Sequence, residues 1–409
     1  MTDGPPRERP GWFRQLWSDL RESTDANLLG VPRFLGLLYG PIDHRLRIDE
    51  ALRKALRRPL APHVSWRHAF GGLVYLLFMV LVVTGVLLAV YYRPSADEAY
   101  ASVQHIVTGV PMGWLIRDLH VWSASLIVLL ALLHMARVFI DRAYGSPRET
   151  NWLVGVFLLF VILGFGATGY LLPWDQWAYW TVTELLNALR ALPVLGPLAA
   201  NLLTGDVAIS GATLSRYFAL HVIVLPWVAF WLLAMHFALV RKHGVAPVAA
   251  GASHGTAGVP FFPHHVLRSF IAAVLALAIT ATAAILFPRP LGAPANPYEV
   301  PDAIVVTWVP VSVSLALLRY LGTWGLAAFT VLGVSLALLP VFERDAAAPL
   351  RRRPIAAALA ATFVVGFLAA WAAGRSIHTP SPRLRPVLDA PSSEAPVAPG
   401  AGAPREEGR

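Results

Sequence analysis

The 409-residue chain is 56% hydrophobic and 14% charged, carries a formal charge of +9 and contains no cysteine. A soluble domain carries about 25% charged residues, so this composition excludes an ordinary soluble protein, and the missing thiols exclude disulfides, thiolate metal sites, iron–sulfur ligation and thioether-attached c-type haem. The basic residues fall between apolar runs, as at Arg351, Arg352 and Arg353, a pattern of membrane anchoring and topology and not of nucleic-acid binding.

In chain order, residues 1–68 are rich in Arg and Pro, and Trp12, Phe13, Leu16, Trp17 and Leu20 fall at helical spacing with Arg14, Asp19 and Arg21 on other faces. That pattern predicts a helix lying in the membrane interface, with a poorly ordered tail as the alternative. The first apolar run begins near residue 69, too late for a cleavable signal peptide. Seven runs are long enough to cross ~30 Å of hydrocarbon at about 1.5 Å per residue: 69–92, 114–140, 152–172, 213–240, 265–287, 320–342 and 354–373. The apolar stretch 303–318 is short and contains Pro310, which predicts a partly buried loop helix and not an eighth span. The fold class is therefore an all-α polytopic membrane protein. Basic residues concentrate in the N-terminal region and in loops 141–151, 241–268 and 343–353. The positive-inside rule then puts the N-terminus in the cytoplasm and the C-terminus outside. Two long outer loops, 173–212 and 288–319, hold apolar stretches and are expected to roof a pocket. The Pro-, Ala- and Ser-rich end of the chain is expected to be disordered.

Four of the 13 His lie within spans: His120 and His134 in the second, His221 and His236 in the fourth. Ionisable groups inside a bilayer are costly and tend to be functional. His120 and His134 are fourteen residues apart, and His221 and His236 fifteen. At 100° per residue the first pair returns to within about 40° of one face, and the second again lies broadly on one side. Along the axes the pairs are ~21 and ~22 Å apart. Spans two and four run the same way, so His120 is expected to face His221 near the outer surface and His134 to face His236 nearer the cytoplasm. Two bis-imidazole pairs at two depths predict two b-type haems. The bland alternative is four core histidines bonded to hydroxyl or carbonyl groups. Gly71 and Gly85 in span one, and Gly155 and Gly169 in span three, repeat the fourteen-residue spacing, so each haem is expected to lie against a Gly on either side. Arg117 and Arg137 stand one turn from His120 and His134, and Arg216 and Arg241 flank span four. These four are candidate propionate partners, with snorkelling at helix ends as the alternative.

The segments YYRPSADEAYASVQHIVTGVPMGWLIRDLHVWSAS (91–125), GYLLPWDQWAYW (169–180), RYFALHVIVLPW (216–227) and MHFALVRKHG (235–244) resemble cytochrome b of the bc-type complexes, most closely the cytochrome b6 branch. FFPHHVLRSF (261–270) and the entry to the last span at Arg351–Pro354 resemble the subunit IV of the photosynthetic complex. The resemblance implies a di-haem four-helix bundle over 69–247 and a subunit IV-like three-helix region over 260–373, between a cytoplasmic region 1–68 and a tail 374–409. It further implies a quinol-oxidising electron carrier coupled to proton translocation. Its partners would be a Rieske iron–sulfur protein and a c-type cytochrome or other redox subunit, in a homodimer within a bacterial inner membrane. Pro173, Trp174, Asp175 and Tyr179 would line the outer quinol pocket. Arg241, His243 and Arg268 are polar candidates for the inner quinone site, with lipid anchoring as the alternative.

Two departures from the family pattern matter. Where the family carries Pro-Glu-Trp-Tyr, this chain reads Val306-Thr307-Trp308-Val309, and Thr307 cannot take a proton from quinol near neutral pH. Glu299, Asp302 and Glu184 are the candidate substitutes. Without one, the chain would be a transmembrane electron conduit lacking a working bifurcating site. The position of the b6-branch Cys that attaches a further haem matches Ala69, so no covalent third haem is expected.

Overall fold

The computed structural model describes residues 64–206, 208–244, 265–301, 306, 308–342 and 354–374, with the backbone of 59–60 and 259–260. The expected interfacial helix at 12–20, Thr307, Asp302, the Arg351–Arg353 cluster and the tail lie outside these residues. The chain divides into two units, 1–66 with 253–272 and 67–252 with 273–409. In the first, β1 (Pro59–Leu60) pairs antiparallel with β2 (Val259–Pro260), and Arg268 donates to the Val64 carbonyl at 3.4 Å.

The second unit is helical. Its elements are α1 (Phe70–Ala89), α2 (Ala99–Thr108), α3 (Gly113–Ile140), α4 (Glu149–Leu171), α5 (Gln176–Arg190), α6 (Leu195–Thr204), α7 (Gly211–Ala219) and α8 (Leu225–His243), and, past the first unit's second segment, α10 (Val309–Phe342) and α11 (Pro354–Gly374). Between them in sequence, α9 (Val266–Leu286) begins in the first unit's range and ends in the second's. Seven helices among the described residues are long and apolar enough to cross a membrane. Their large apolar side chains face outward, as at Val83, Val86, Phe157, Trp231 and Val365. Such a surface is stable only against lipid or a partner.

The stretch expected to be a partly buried loop helix is helical and adds no eighth span: within α10 the non-helical backbone of Gly322, at φ +68°, separates it from the sixth span. A residue there in the left-handed region breaks the run, and glycine adopts it without steric cost. The helix before that break does carry a buried face, including Val311, Val313, Leu315 and Ala316.

The fourth span is also not one regular helix. α7 and α8 are joined by a π turn over Leu220–Val224, closed by the Leu225 N–H donating to the Leu220 carbonyl. Pro226 has no N–H to give the Val222 carbonyl, which removes the competing α-type bond at that level. A π turn absorbs one extra residue. Fifteen α-helical residues would leave His236 about 60° from His221, on the opposite side from the 40° offset of the second span. The extra residue taken up at 220–224 brings the fifteen-residue spacing into phase with the fourteen-residue one. In the bundle α1 packs on α3, and α4 packs on α8.

Candidate functional site

The end of the bundle carrying α2, α5 and α6 is here termed outer. At that end the His120 and His221 rings face each other with centroids 6.3 Å apart and planes at 63°. Imidazole rings with centroids at this separation have room for one metal ion between them, bonded at about 2 Å to a nitrogen of each. His134 and His236 form the second pair, within electrostatic reach of each other toward the opposite end. No three His, Cys, Asp or Glu converge as a metal group among the described residues. Each pair could offer two imidazoles to a metal whose other ligands come from a cofactor.

Each of the four glycines lies against a histidine ring. A Cβ on Gly169 would sit 2.6 Å from His221 Cε1, and one on Gly85 3.2 Å from His120 Cε1. At the inner pair the distances are 3.0 Å from Gly71 to His134 and 3.6 Å from Gly155 to His236. Thus α1 backs both histidines of α3, and α4 backs those of the fourth span. The absent Cβ atoms let the rings lie close to the helix behind them and aim across the bundle.

Sequence reasoning missed what orients the outer rings. Thr84 precedes Gly85, and its hydroxyl donates to the Val80 carbonyl at 2.7 Å. With its one proton committed, that oxygen accepts from His120 Nδ1 at 2.9 Å. Thr168 precedes Gly169 and repeats the arrangement, donating to the Gly164 carbonyl at 2.7 Å and lying 3.2 Å from His221 Nδ1. His221 Nδ1 also donates to the Phe165 carbonyl at 3.0 Å. Both outer rings then carry their proton on Nδ1 and present Nε2 as a lone pair, the form a metal requires. The repeated Thr-Gly dipeptide was a visible signal in the sequence. At the inner pair no hydroxyl plays this part for His236, whose Nδ1 points toward the Asn151 backbone without closing a hydrogen bond.

The candidate arginines differ in their engagement. Arg117 donates to the Arg289 carbonyl at 2.7 Å and pairs with Asp118 at 3.2 Å. Arg137 pairs with Asp141 at 3.1 Å, and Asp141 also meets Arg67 at 3.3 Å. Arg216 lies over Gly205, where any Cβ would collide with its guanidinium, and donates to Ala212 at 3.3 Å. Arg241 is exposed at the end of α8. Beside it, His243 offers its carbonyl to Arg148 at 2.8 Å.

The Pro173–Tyr179 stretch is buried and serves as a latch. Trp174 adopts φ +51° and its carbonyl accepts from Ala295 N at 3.1 Å. Asp175 caps α5 by accepting from Ala178 N at 2.9 Å, while its other oxygen accepts from Gly292 N at 3.0 Å. Gln176 accepts from Asn296 N at 2.7 Å and donates to the Glu299 carbonyl. Asp175 and Gln176 thus staple the second outer loop to the first. Tyr179 donates to Ile209 at 3.4 Å. Burial, and secondarily Tyr298, raises its pKa, so it remains a donor at neutral pH. Trp308 is buried: its ring packs on Gly166, where any Cβ would overlap it, and its Nε1 donates to Ala124 at 3.4 Å. Glu299 is exposed, and Glu184 is half-buried on α5.

A family model for cytochrome b/b6/petB matches residues 55–244, and one for the cytochrome b C-terminal/b6/petD region matches 294–384. The chain is 42% identical over 209 residues to a cytochrome b6 of Stigeoclonium helveticum, covering 51% of this chain and 97% of that one. It is 40% identical over 212 residues to a cytochrome b6 of Gracilaria tenuistipitata var. liui, covering 52% and 99%. Among solved structures it is similar to a chain of a hyperthermophilic respiratory complex III, with a TM-score of 0.73 and 27% identity, covering 84% of this chain and 92% of that one.

Proposed function

Because this chain belongs to the cytochrome b/b6 family, a family of multi-pass membrane proteins that bind b-type haem, we propose that it is the di-haem electron-transfer subunit of a quinol-oxidising bc-type complex. His120 and His221 would hold the outer haem, and His134 and His236 the inner one. Bound there, the haems supply one-electron carriers at two depths in the membrane. The chain's own residues would hold the outer imidazoles in the metal-binding tautomer, exclude water with the apolar walls of four helices, and offer Arg117, Arg137, Arg216 and Arg241 to propionates. Residues 69–247 would form the haem bundle and 260–373 the subunit IV-like region. The N-terminus would be cytoplasmic. The similarity to a complex III chain supports a multi-subunit setting, with a Rieske protein and a c-type cytochrome or equivalent as partners in a dimer.

The observation that carries this reading is the His120–His221 pair, 6.3 Å apart between centroids and backed on each side by a Thr-Gly dipeptide. The test is the optical spectrum of the purified complex while quinol and then a pulse of oxidant are added, with an inner-site inhibitor present. Extra reduction of haem b after the oxidant pulse is the expected result. Absence of a b-type spectrum would overturn the di-haem reading.

A second reading, a transmembrane conduit without electron bifurcation, is favoured by Thr307 standing where the family carries Glu. It is favoured too by Asp175, each of whose oxygens accepts a backbone amide. A b-type spectrum with no oxidant-induced reduction, restored by Thr307→Glu, would establish it.

A further inference from the structure

The outer end of α3 carries a buried carboxylate that haem ligation and quinol chemistry leave unexplained. Asp118 is 3% exposed. One of its oxygens accepts from Arg117 at 3.2 Å and from the backbone N–H of Arg289 at 3.3 Å. Arg117 in turn donates to the Arg289 carbonyl at 2.7 Å, so the two neighbouring side chains grip both polar groups of one peptide residue. Trp122 completes the grip, donating Nε1 to the Phe287 carbonyl at 2.9 Å and lying under the Arg289 guanidinium at 4.1 Å. Asp118 acts electrostatically on that guanidinium as well. Three formal charges thus meet at the mouth of the second outer loop, and Asp118 is the single negative one.

Asp118 stands two residues before His120 on the same helix, about 3 Å along the axis. A charge so placed in a low-dielectric interior acts over long distances, because little solvent screens it. Net charge around a haem is one of the levers on its potential. A negative charge favours the oxidised iron, which carries one more positive charge than the reduced one. It also keeps Arg117 neutralised, and so limits the pull of that cation toward the reduced state. Both effects have the same sign.

We infer that Asp118 is a positioning and redox-tuning residue of the outer haem, holding Arg117 and the 287–289 segment in one cluster and lowering that haem's midpoint potential. The inference rests on the di-haem reading and adds a residue that the reading does not need.

The experiment is a redox titration of the purified complex, followed at the b-haem absorbance. The outer component is identified as the one lost in His221→Leu. Asp118→Asn is expected to move the outer component to higher potential and leave the inner one in place, and Asp118→Glu to restore the native value. Arg289→Gln, which removes a positive charge from the far side of the cluster, is expected to move the outer component the opposite way. This second variant keeps the test decisive if Asp118→Asn fails to assemble. Unmoved potentials, or equal movement of both components, would overturn the inference while leaving the di-haem reading standing. A wild-type protein with no b-haem absorbance would sink the reading itself, and the inference with it.

Discussion

The two ends of the haem bundle solve one problem in different ways. At the outer pair each imidazole has a threonine hydroxyl at Nδ1 and a glycine close behind it. At the inner pair a glycine again lies behind each ring, but His236 Nδ1 has no hydrogen-bond partner and its glycine stands further off, at 3.6 Å. The loops differ in the same direction. The backbone amides of Gly292 and Asn296, donating to the Asp175 and Gln176 side chains, stitch the outer end, whereas ion pairs of Asp141 with Arg67 and Arg137 mark the inner end. Directional bonds to a ring fix its tautomer and angle, while partly exposed ion pairs fix little. The outer histidine pair is therefore held by directional bonds at both rings, and at the inner pair His236 Nδ1 has none among the described residues.

The sharpest way to break this comparison is at the glycines. Gly169→Leu places atoms inside the His221 ring, and overpacking of this kind displaces the side chain. The expected outcome is loss of the outer haem alone, halving the b-type haem measured per chain. Gly155→Ala adds a Cβ at 3.6 Å, ordinary contact, and should leave haem content unchanged. Equal effects of the two would erase the distinction between the sites.

Next come the hydroxyls. Thr84→Val and Thr168→Val keep the side-chain volume and remove the hydroxyl beside Nδ1, while the Phe165 carbonyl still accepts from His221. Orienting groups of this kind are worth about 10–100-fold in metal affinity. Haem dissociation followed spectroscopically should accelerate by that order at the outer site and stay constant at the inner one. A uniform change at both sites would mean that the threonines act on the bundle as a whole.

A smaller effect is expected at the latch. Asp175→Ala removes a helix cap, worth about 1 kcal/mol, and strands the Gly292 amide, worth about 1–3 kcal/mol. Hydrogen exchange should quicken in 288–301 while α3 keeps its protection. The smallest change is Glu299→Gln. Its backbone carbonyl anchors Gln176 and its carboxylate is exposed, so exchange in the same loop should shift by less than about 0.5 kcal/mol. A large loss there would give the Glu299 carboxylate a part in the outer site that the geometry does not.

Much of this was legible in the sequence. Span lengths follow from the thickness of hydrocarbon, and the four histidines stand out because an ionisable group in lipid needs a reason to be there. The second span shows its two histidines on one face with no further information. The fourth shows them only broadly on one side, about 60° apart in a regular helix, and the π turn at Leu220–Val224 brings the spacing into phase with that of the second. Asp175 shows the opposite failure. As a carboxylate in an aromatic-rich loop it invites a catalytic role, yet its oxygens are spent on the Ala178 and Gly292 amides.

The sequence by itself therefore determined the apolar solvent and the number of spans, and singled out four imidazoles within them, because each depends on local composition and on the fixed rise of a helix. Tertiary structure alone decided which glycine backs which ring, which hydroxyl sets each tautomer, and which residues of 288–301 meet the Pro173–Tyr179 turn. Those contacts join residues as far as 123 positions apart, as between Gln176 and Glu299. No local periodicity encodes such a pairing; it exists only once the helices have packed.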